Sequence, residues 1–119
     1  MSGTKHDQGK LQVGLVSQIF LMGLARVLTF GAKKYAAHNW RLGIEYSRLF
    51  DALQRHLWAW WAGEETDPES GESHLDHAAC CLMFLRELSQ TRKDLDDRYK
   101  LATSFPAAPP RHDPHSGAW

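Results

Sequence analysis

A chain of 119 residues that is 43% hydrophobic suits one globular domain with one modest core. Lys plus Arg and Asp plus Glu balance at 14 each, with a pI near 7.1, so no overall field exists to hold a duplex and a nucleic-acid partner is not expected. Seven His and five Trp are many for this length and hint at a site or a large aromatic interface.

The head, GTKHDQGK, is polar and precedes any periodicity. From about Val13 to Phe30, apolar residues recur at Val16, Ile19, Phe20, Gly23, Leu24, Val27 and Leu28, which is helical spacing, and Gly31 reads as its stop. The longest apolar run, Leu15 to Phe30, is interrupted by Ser17, Gln18 and Arg26, so it does not read as a membrane span. No signal peptide is visible, and a cytoplasmic location is expected. A loop, AKKYAAHNWRLGIEY, follows. Ser47 can cap a second helix that runs to Ala62 and stops at Gly63. Pro68 and Gly71 then break the chain in an acidic loop. Ser73 can cap a third helix to about Ser89, with an extension toward Lys100 left open. The tail, FPAAPPRHDPHSGAW, is rich in Pro and small residues and is expected to be disordered or an arm on a partner subunit.

No stretch shows sustained strand alternation, so the expected fold is all-α: one helical domain over residues 1–100 and a tail over 101–119. Cys80 and Cys81 are adjacent, about 100° apart on a helix, and a bridge between them is implausible. They read as small core residues in a reducing compartment. Three helices from ~85 residues bury limited apolar area. Helix one is apolar around much of its circumference, and Trp58, Trp60 and Trp61 cover more than one side of helix two. A homo-oligomer is therefore expected.

On helix two, Leu49, Phe50, Leu53, Leu57, Trp60 and Trp61 form the expected core face. Arg48, Asp51 and Arg55 lie together opposite, with His56 at the boundary. Taken alone, Asp51 and Arg55 form an ordinary surface pair. On helix three, His74 and His77 are three apart and share a face at the first turn, where two imidazoles can converge on one cation. The helix dipole disfavours protonated imidazole there, which favours the ligand-competent form. The stretch GEETDPESGESHLDH, from Gly63 to His77, holds six carboxylates beside these two His. It reads either as a solvated acidic loop or as the mouth of a metal site, since carboxylate oxygens suit Mg²⁺ or Mn²⁺. In GAKKYAAHNWR, Lys33, Lys34 and Arg41 could meet phosphates, Tyr35 and Trp40 could stack on a base, and Asn39 could bond its edge. No Walker loop occurs.

Four blocks, KHDQGK, GAKKYAAHNWRLG, RHLWAWWAGEETDPESG and HLDHAACCLMFL, stand in this order over about residues 5–88. Together they resemble the small dATP/dGTP diphosphohydrolase family carried by bacteriophages and related to MazG. Within it they look most like members from phages whose DNA carries 2-aminoadenine in place of adenine. The resemblance implies an all-α MazG-like bundle assembled as a dimer or a dimer of dimers, in the host cytoplasm. It implies Mg²⁺- or Mn²⁺-dependent cleavage of a purine nucleoside triphosphate, dGTP or GTP and also dATP, to the monophosphate and pyrophosphate. The dGMP would feed synthesis of the 2-aminoadenine nucleotide.

MazG enzymes are described by E-x-x-E on one helix and E-x-x-D on the next. Alignment of the apolar run that follows puts His74 and His77 where Glu and Asp would stand, and the helix-two turn falls between Asp51 and His56. The literal E-x-x-E, Glu69 to Glu72, lies in a loop with Gly71 and is not assigned that role. Two imidazoles would favour Mn²⁺, Co²⁺ or Zn²⁺ over Mg²⁺ relative to four carboxylates. The implied site takes Asp51, Glu64, Asp67, His74 and His77 as metal ligands for two or more divalent ions, with Glu64 as the alternative base. Lys33, Lys34 and Arg55 go to phosphates, and Tyr35, Asn39 and Trp40 to the nucleoside. Lys5, Asp7 and Lys10 close over the site from the head. The rival reading is a helical oligomer that binds nucleotides at a His/Asp metal site without catalysis.

Overall fold

A computed structural model describes residues 2–100, and these are all-α. Helix α1 spans Gln18–Tyr35, α2 spans Tyr46–Trp61 and α3 spans His74–Thr91. Short 3-10 turns lie at Val13–Leu15, Asn39–Leu42 and Lys93–Leu95. Among the described residues no strand occurs, and one isolated bridge joins Thr66 to Ser73. The expected Pro-rich tail lies outside the described residues.

Helix α1 is shifted toward the C-terminus from its expected bounds. Ser17 is its N-cap, with Oγ accepting the N–H of Phe20 at 3.1 Å, which leaves Val13–Leu15 as a separate turn. Gly31 does not stop the helix. A glycine inside a helix costs about 1 kcal/mol relative to Ala. Ala32, Lys33 and Lys34 are strong helix formers, and the two Lys occupy the last turn, where the dipole favours cations.

Ser47 does not cap α2 either; Glu45 holds that position. Ser47 sits within the first turn, and its N–H donates to Asp97 Oδ1 at 2.8 Å while its hydroxyl bonds the other carboxylate oxygen. One of the orphan donors of α2 is thus met by a side chain fifty residues downstream. Ser73 caps α3 as expected, accepting from Leu75 N–H at 3.1 Å. The helix ends at Thr91 and does not reach Lys100, because Arg92 leaves helical geometry and its guanidinium donates to the Leu42 carbonyl at 2.9 Å.

Helices α2 and α3 run antiparallel, and α1 rests on α3. The contact of α1 is close at Gly23, where an added Cβ would clash with the Asp76 carboxylate. The core sits where α2 begins and α3 ends. Trp40, Tyr46, Leu49 and Leu88 form it, flanked by Ile44, Met83, Phe84, Leu85 and Leu95. Leu88 is 1% exposed. The Tyr46 hydroxyl reaches the carbonyls of Leu88 and Arg92, both at 3.0 Å, among the last carbonyls of α3.

The expected core face of α2 is only partly covered. Leu49 is buried and Leu53, Leu57 and Trp60 are half-buried, but Phe50 is 54% and Trp61 83% exposed. One neighbouring helix covers one stripe of α2, and these two residues fall at its edges. On α1 only Gly23 and Val27 are buried, and Ile19 is 86% exposed. Cys80 is buried and Cys81 half-buried, both unbridged. Burial pushes both thiols up, Cys80 to about 12, which fits inert packing residues.

Candidate functional site

The site is made by the way the chain returns after α2. Gly63, at φ 104°, turns the backbone out of the helix, a conformation that side chains disfavour. The loop then closes on itself: Asp67 N–H donates to Glu72 O at 2.8 Å, Gly71 N–H to Asp67 O at 2.7 Å, and His74 N–H to Glu65 O at 3.0 Å. This sets the first turn of α3 beside the last turns of α2. His56 on α2 therefore meets both His74 and His77 on α3.

The Nδ1 atoms of His56 and His74 lie 2.8 Å apart. His74, 3% exposed, directs Nε2 to Glu64 Oε1 at 2.6 Å. The ring of His77 stacks on that of His56, with centroids 4.6 Å apart and planes 10° from parallel, and its Nε2 meets Ser70 Oγ at 2.6 Å. Asp67 completes the group: one ligand atom each from His56, Asp67 and His74 lies within 4.8 Å of the others. Asp67 Oδ1 accepts the N–H groups of Glu69 at 2.9 Å and Ser70 at 3.1 Å, an Asx-turn that holds the carboxylate in place.

The electrostatics suit a cation. Burial pushes the His56 and His77 imidazoles below their ordinary value, and the neighbouring His residues add to this for both. Burial pushes the Asp67 carboxyl up, but the N–H groups of Ser70 and Glu69 and the two imidazoles outweigh it, leaving it below the usual range. Neutral imidazoles and an ionised carboxylate are the protonation states a metal ion requires.

Of the expected ligands, Glu64, Asp67, His74 and His77 come together here. Asp51 does not: it is exposed and lies about 140° around α2 from His56, and the group that could hold an ion contains His56 in its place. Arg55 is exposed beside His56. Glu69 and Glu72, the literal E-x-x-E, clamp α1 instead. Glu69 pairs with Lys34, and Glu72 with Arg26 at 3.1 Å. Lys34 is thereby held at the loop that carries Asp67, with Lys33 exposed next to it. Tyr35 is exposed with the Lys34 ammonium 5.1 Å from its ring centroid, and Asn39 is exposed at the head of a 3-10 turn. Between them Ala36 and His38 take positive φ, 93° and 61°, a strained connection. The expectation for Trp40 is corrected. Its ring stacks on Phe84 at 4.4 Å, and the Arg41 guanidinium covers it at 4.3 Å. Both faces are filled, so it belongs to the core and not to a base. Lys5, Asp7 and Lys10 are exposed in the head, where Lys10 N–H donates to Asp7 O at 3.1 Å.

His56 is the residue that reading along the chain underrated. Its signal was its place on α2, a little more than one turn before the Trp61 end. In an antiparallel pair that position faces the start of the next helix.

Residues 1–98 match the family model described as dATP/dGTP diphosphohydrolase, N-terminal. A protein of Salmonella phage PMBT28 named dATP/dGTP diphosphohydrolase is 41% identical over 98 residues, which is 82% of this chain and 33% of that protein. The chain thus spans about a third of the length of this curated relative. No solved structure matches. The paired imidazoles, the acidic loop and the basic end of α1 all fall inside the matched stretch, and the chain belongs to the dATP/dGTP diphosphohydrolase family.

Proposed function

We propose that this protein cleaves a purine nucleoside triphosphate, dGTP or GTP first and dATP second, to the monophosphate and pyrophosphate. In a phage whose DNA carries 2-aminoadenine, the dGMP would supply synthesis of that nucleotide. The observation that carries this reading is the imidazole–carboxylate group on the α2–α3 junction, with Lys34 held against the same loop. The donor set fits a divalent ion, with His56, His74 and Asp67 to hold it. When bound, the ion supplies positive charge to phosphate oxygens and lowers the pKa of water, and Mg²⁺ and Mn²⁺ are the ions to supply for turnover.

The chain's own residues then have separate tasks. Lys34 exchanges Glu69 for a phosphate oxygen, with Lys33 and Arg55 beside it, and neutralises charge that builds on the leaving pyrophosphate. Water attacks the α-phosphorus, and the bond to the bridging oxygen of the β-phosphate breaks. Glu64 has one oxygen on His74 and is half exposed, so its other oxygen can take the water's proton. Tyr35 and Asn39, on the strained connection, lie where a nucleoside can be held. Lys5, Asp7 and Lys10 would close over the site from the head. Exposed Ile19, Met22, Phe50, Trp58 and Trp61 support assembly as a dimer or dimer of dimers.

The test is pyrophosphate release from each of the eight common NTPs and dNTPs, with Mg²⁺ and with Mn²⁺. A guanine nucleotide should react first, and release from none of them overturns the reading. The rival reading is a nucleotide-binding module that holds an ion at the same His56, His74 and Asp67 group without catalysis. That module would bind dGTP and release nothing.

A further inference from the structure

We propose that His56, His74 and Asp67 form a resident site for one first-row transition-metal ion, which fills without nucleotide and selects Zn²⁺, Co²⁺ or Mn²⁺ over Mg²⁺. The proposal rests on the metal-centre reading above, but ion binding and turnover are read separately.

The first argument is the 2.8 Å between the two Nδ1 atoms. Two imidazole nitrogens aimed at one point can share only a proton or a cation, since two lone pairs repel. The Glu64 carboxylate accepts from Nε2 of His74, so a neutral His74 presents a bare Nδ1 to that point. His56 must then supply the proton or yield it to an ion. Two nitrogens bound to one tetrahedral ion at about 2.0–2.1 Å stand about 3.4 Å apart, so the pair needs to open by only about half an ångström.

The second argument is the support around the ligands. Glu64 on the remote nitrogen of His74 is the carboxylate–histidine arrangement that orients a metal-binding imidazole and raises its basicity. His77 stacks on His56 and is itself tied to Ser70, which fixes the His56 ring without occupying its Nδ1. Asp67 is anchored through Oδ1 by two backbone N–H groups, and neither bond uses Oδ2. Glu64 and His77 are in this arrangement positioning residues, in place of the ligand roles expected for them.

The third argument is donor chemistry. Mg²⁺ keeps an octahedral shell of oxygens and several waters, whereas two imidazoles with one carboxylate suit Zn²⁺, Co²⁺ or Mn²⁺ and leave positions open. Two neutral imidazoles, one carboxylate and a divalent ion sum to a positive centre. Four carboxylates around the same ion sum to a negative one. The positive centre attracts a polyphosphate before any further ion arrives.

The experiment uses the full chain stripped with chelator and dialysed. Co²⁺ is titrated while its visible d–d absorption is followed, and Zn²⁺, Mn²⁺ and Mg²⁺ are titrated by calorimetry without nucleotide. One Co²⁺ or Zn²⁺ per chain is expected, each displacing the other, with Mg²⁺ in large excess displacing neither. His56→Gln and Asp67→Asn should each weaken Co²⁺ binding by about 100-fold or more, and Glu64→Gln by about 10-fold. Circular dichroism checks that each variant folds. If His74→Ala does not, the half-buried His56 and Asp67 variants still carry the test. Absence of stoichiometric Co²⁺ or Zn²⁺ binding overturns the proposal, as does binding that both of these variants leave unchanged. Tight Zn²⁺ or Co²⁺ binding with no nucleotide hydrolysis supports this proposal and overturns the catalytic reading alone.

Discussion

The two ends of the α2–α3 pair are built from the same helices and in opposite ways. Where α2 begins and α3 ends, Trp40, Tyr46, Leu49 and Leu88 exclude water, and the polar atoms there serve helix ends. Where α2 ends and α3 begins, three imidazoles and two carboxylates meet, with His74 as the buried polar side chain among the described residues. Apolar burial stabilises the first end at roughly 25 cal/mol per Å². The second end gains little from burial, because each polar group taken from water must recover its hydrogen bonds there. The difference places stability at one end and, on the proposed function, chemistry at the other.

Mutations at the two ends should therefore separate folding from function. The largest loss of stability is expected from Leu88→Ala, about 2–5 kcal/mol by urea denaturation, because the side chain is fully enclosed. In a domain of marginal stability that is a large fraction of the total. An effect under 1 kcal/mol would show that the core is not at this end. Gly23→Ala should follow at about 1–3 kcal/mol, since the new methyl must displace the Asp76 carboxylate, and limited proteolysis should find α1 cut sooner. Tyr46→Phe should cost about 1–2 kcal/mol, leaving the Leu88 and Arg92 carbonyls without that donor.

At the polar end the pattern inverts. His74→Leu should change stability by less than about 1 kcal/mol, since Glu64 is half exposed and can turn to water. The same variant should reduce pyrophosphate release to background. A variant that unfolds but keeps its rate per folded molecule would reverse the comparison.

The smallest effect belongs to Asp97. Its carboxyl is held below its ordinary value of 3.8 by the Ser47 hydroxyl first and the Ser47 N–H second. A depressed folded value means that its contribution is present above that pH and is lost as the pH falls below it. Asp97→Asn should flatten the acid limb of a plot of Tm against pH below about 4.

How much of this could be read along the chain follows from range. Ser73 caps α3 through a neighbour two residues away, and the His74–His77 spacing places both rings on one face. Ser47 looked like the same kind of cap, but its partner Asp97 is fifty residues away. Gly31 looked like a stop, yet the residues after it outweigh its preference. The literal E-x-x-E, set aside as a ligand pair because Gly71 breaks it, clamps α1 through Arg26 and Lys34.

Helical periodicity, capping hydroxyls and the imidazole spacing act over one turn, so residue order alone carried the all-α class, the three helices and two of the three residues, Asp67 and His74, of the imidazole–carboxylate group. Which faces meet depends on the reversal through residues 62–73 and on the antiparallel pairing that it sets. That long-range geometry brought His56 to His74 and left Asp51 outside. It also turned Trp40 inward between Phe84 and Arg41, because an aromatic ring that can stack on a base can equally fill a core, and only its neighbours in space distinguish the two.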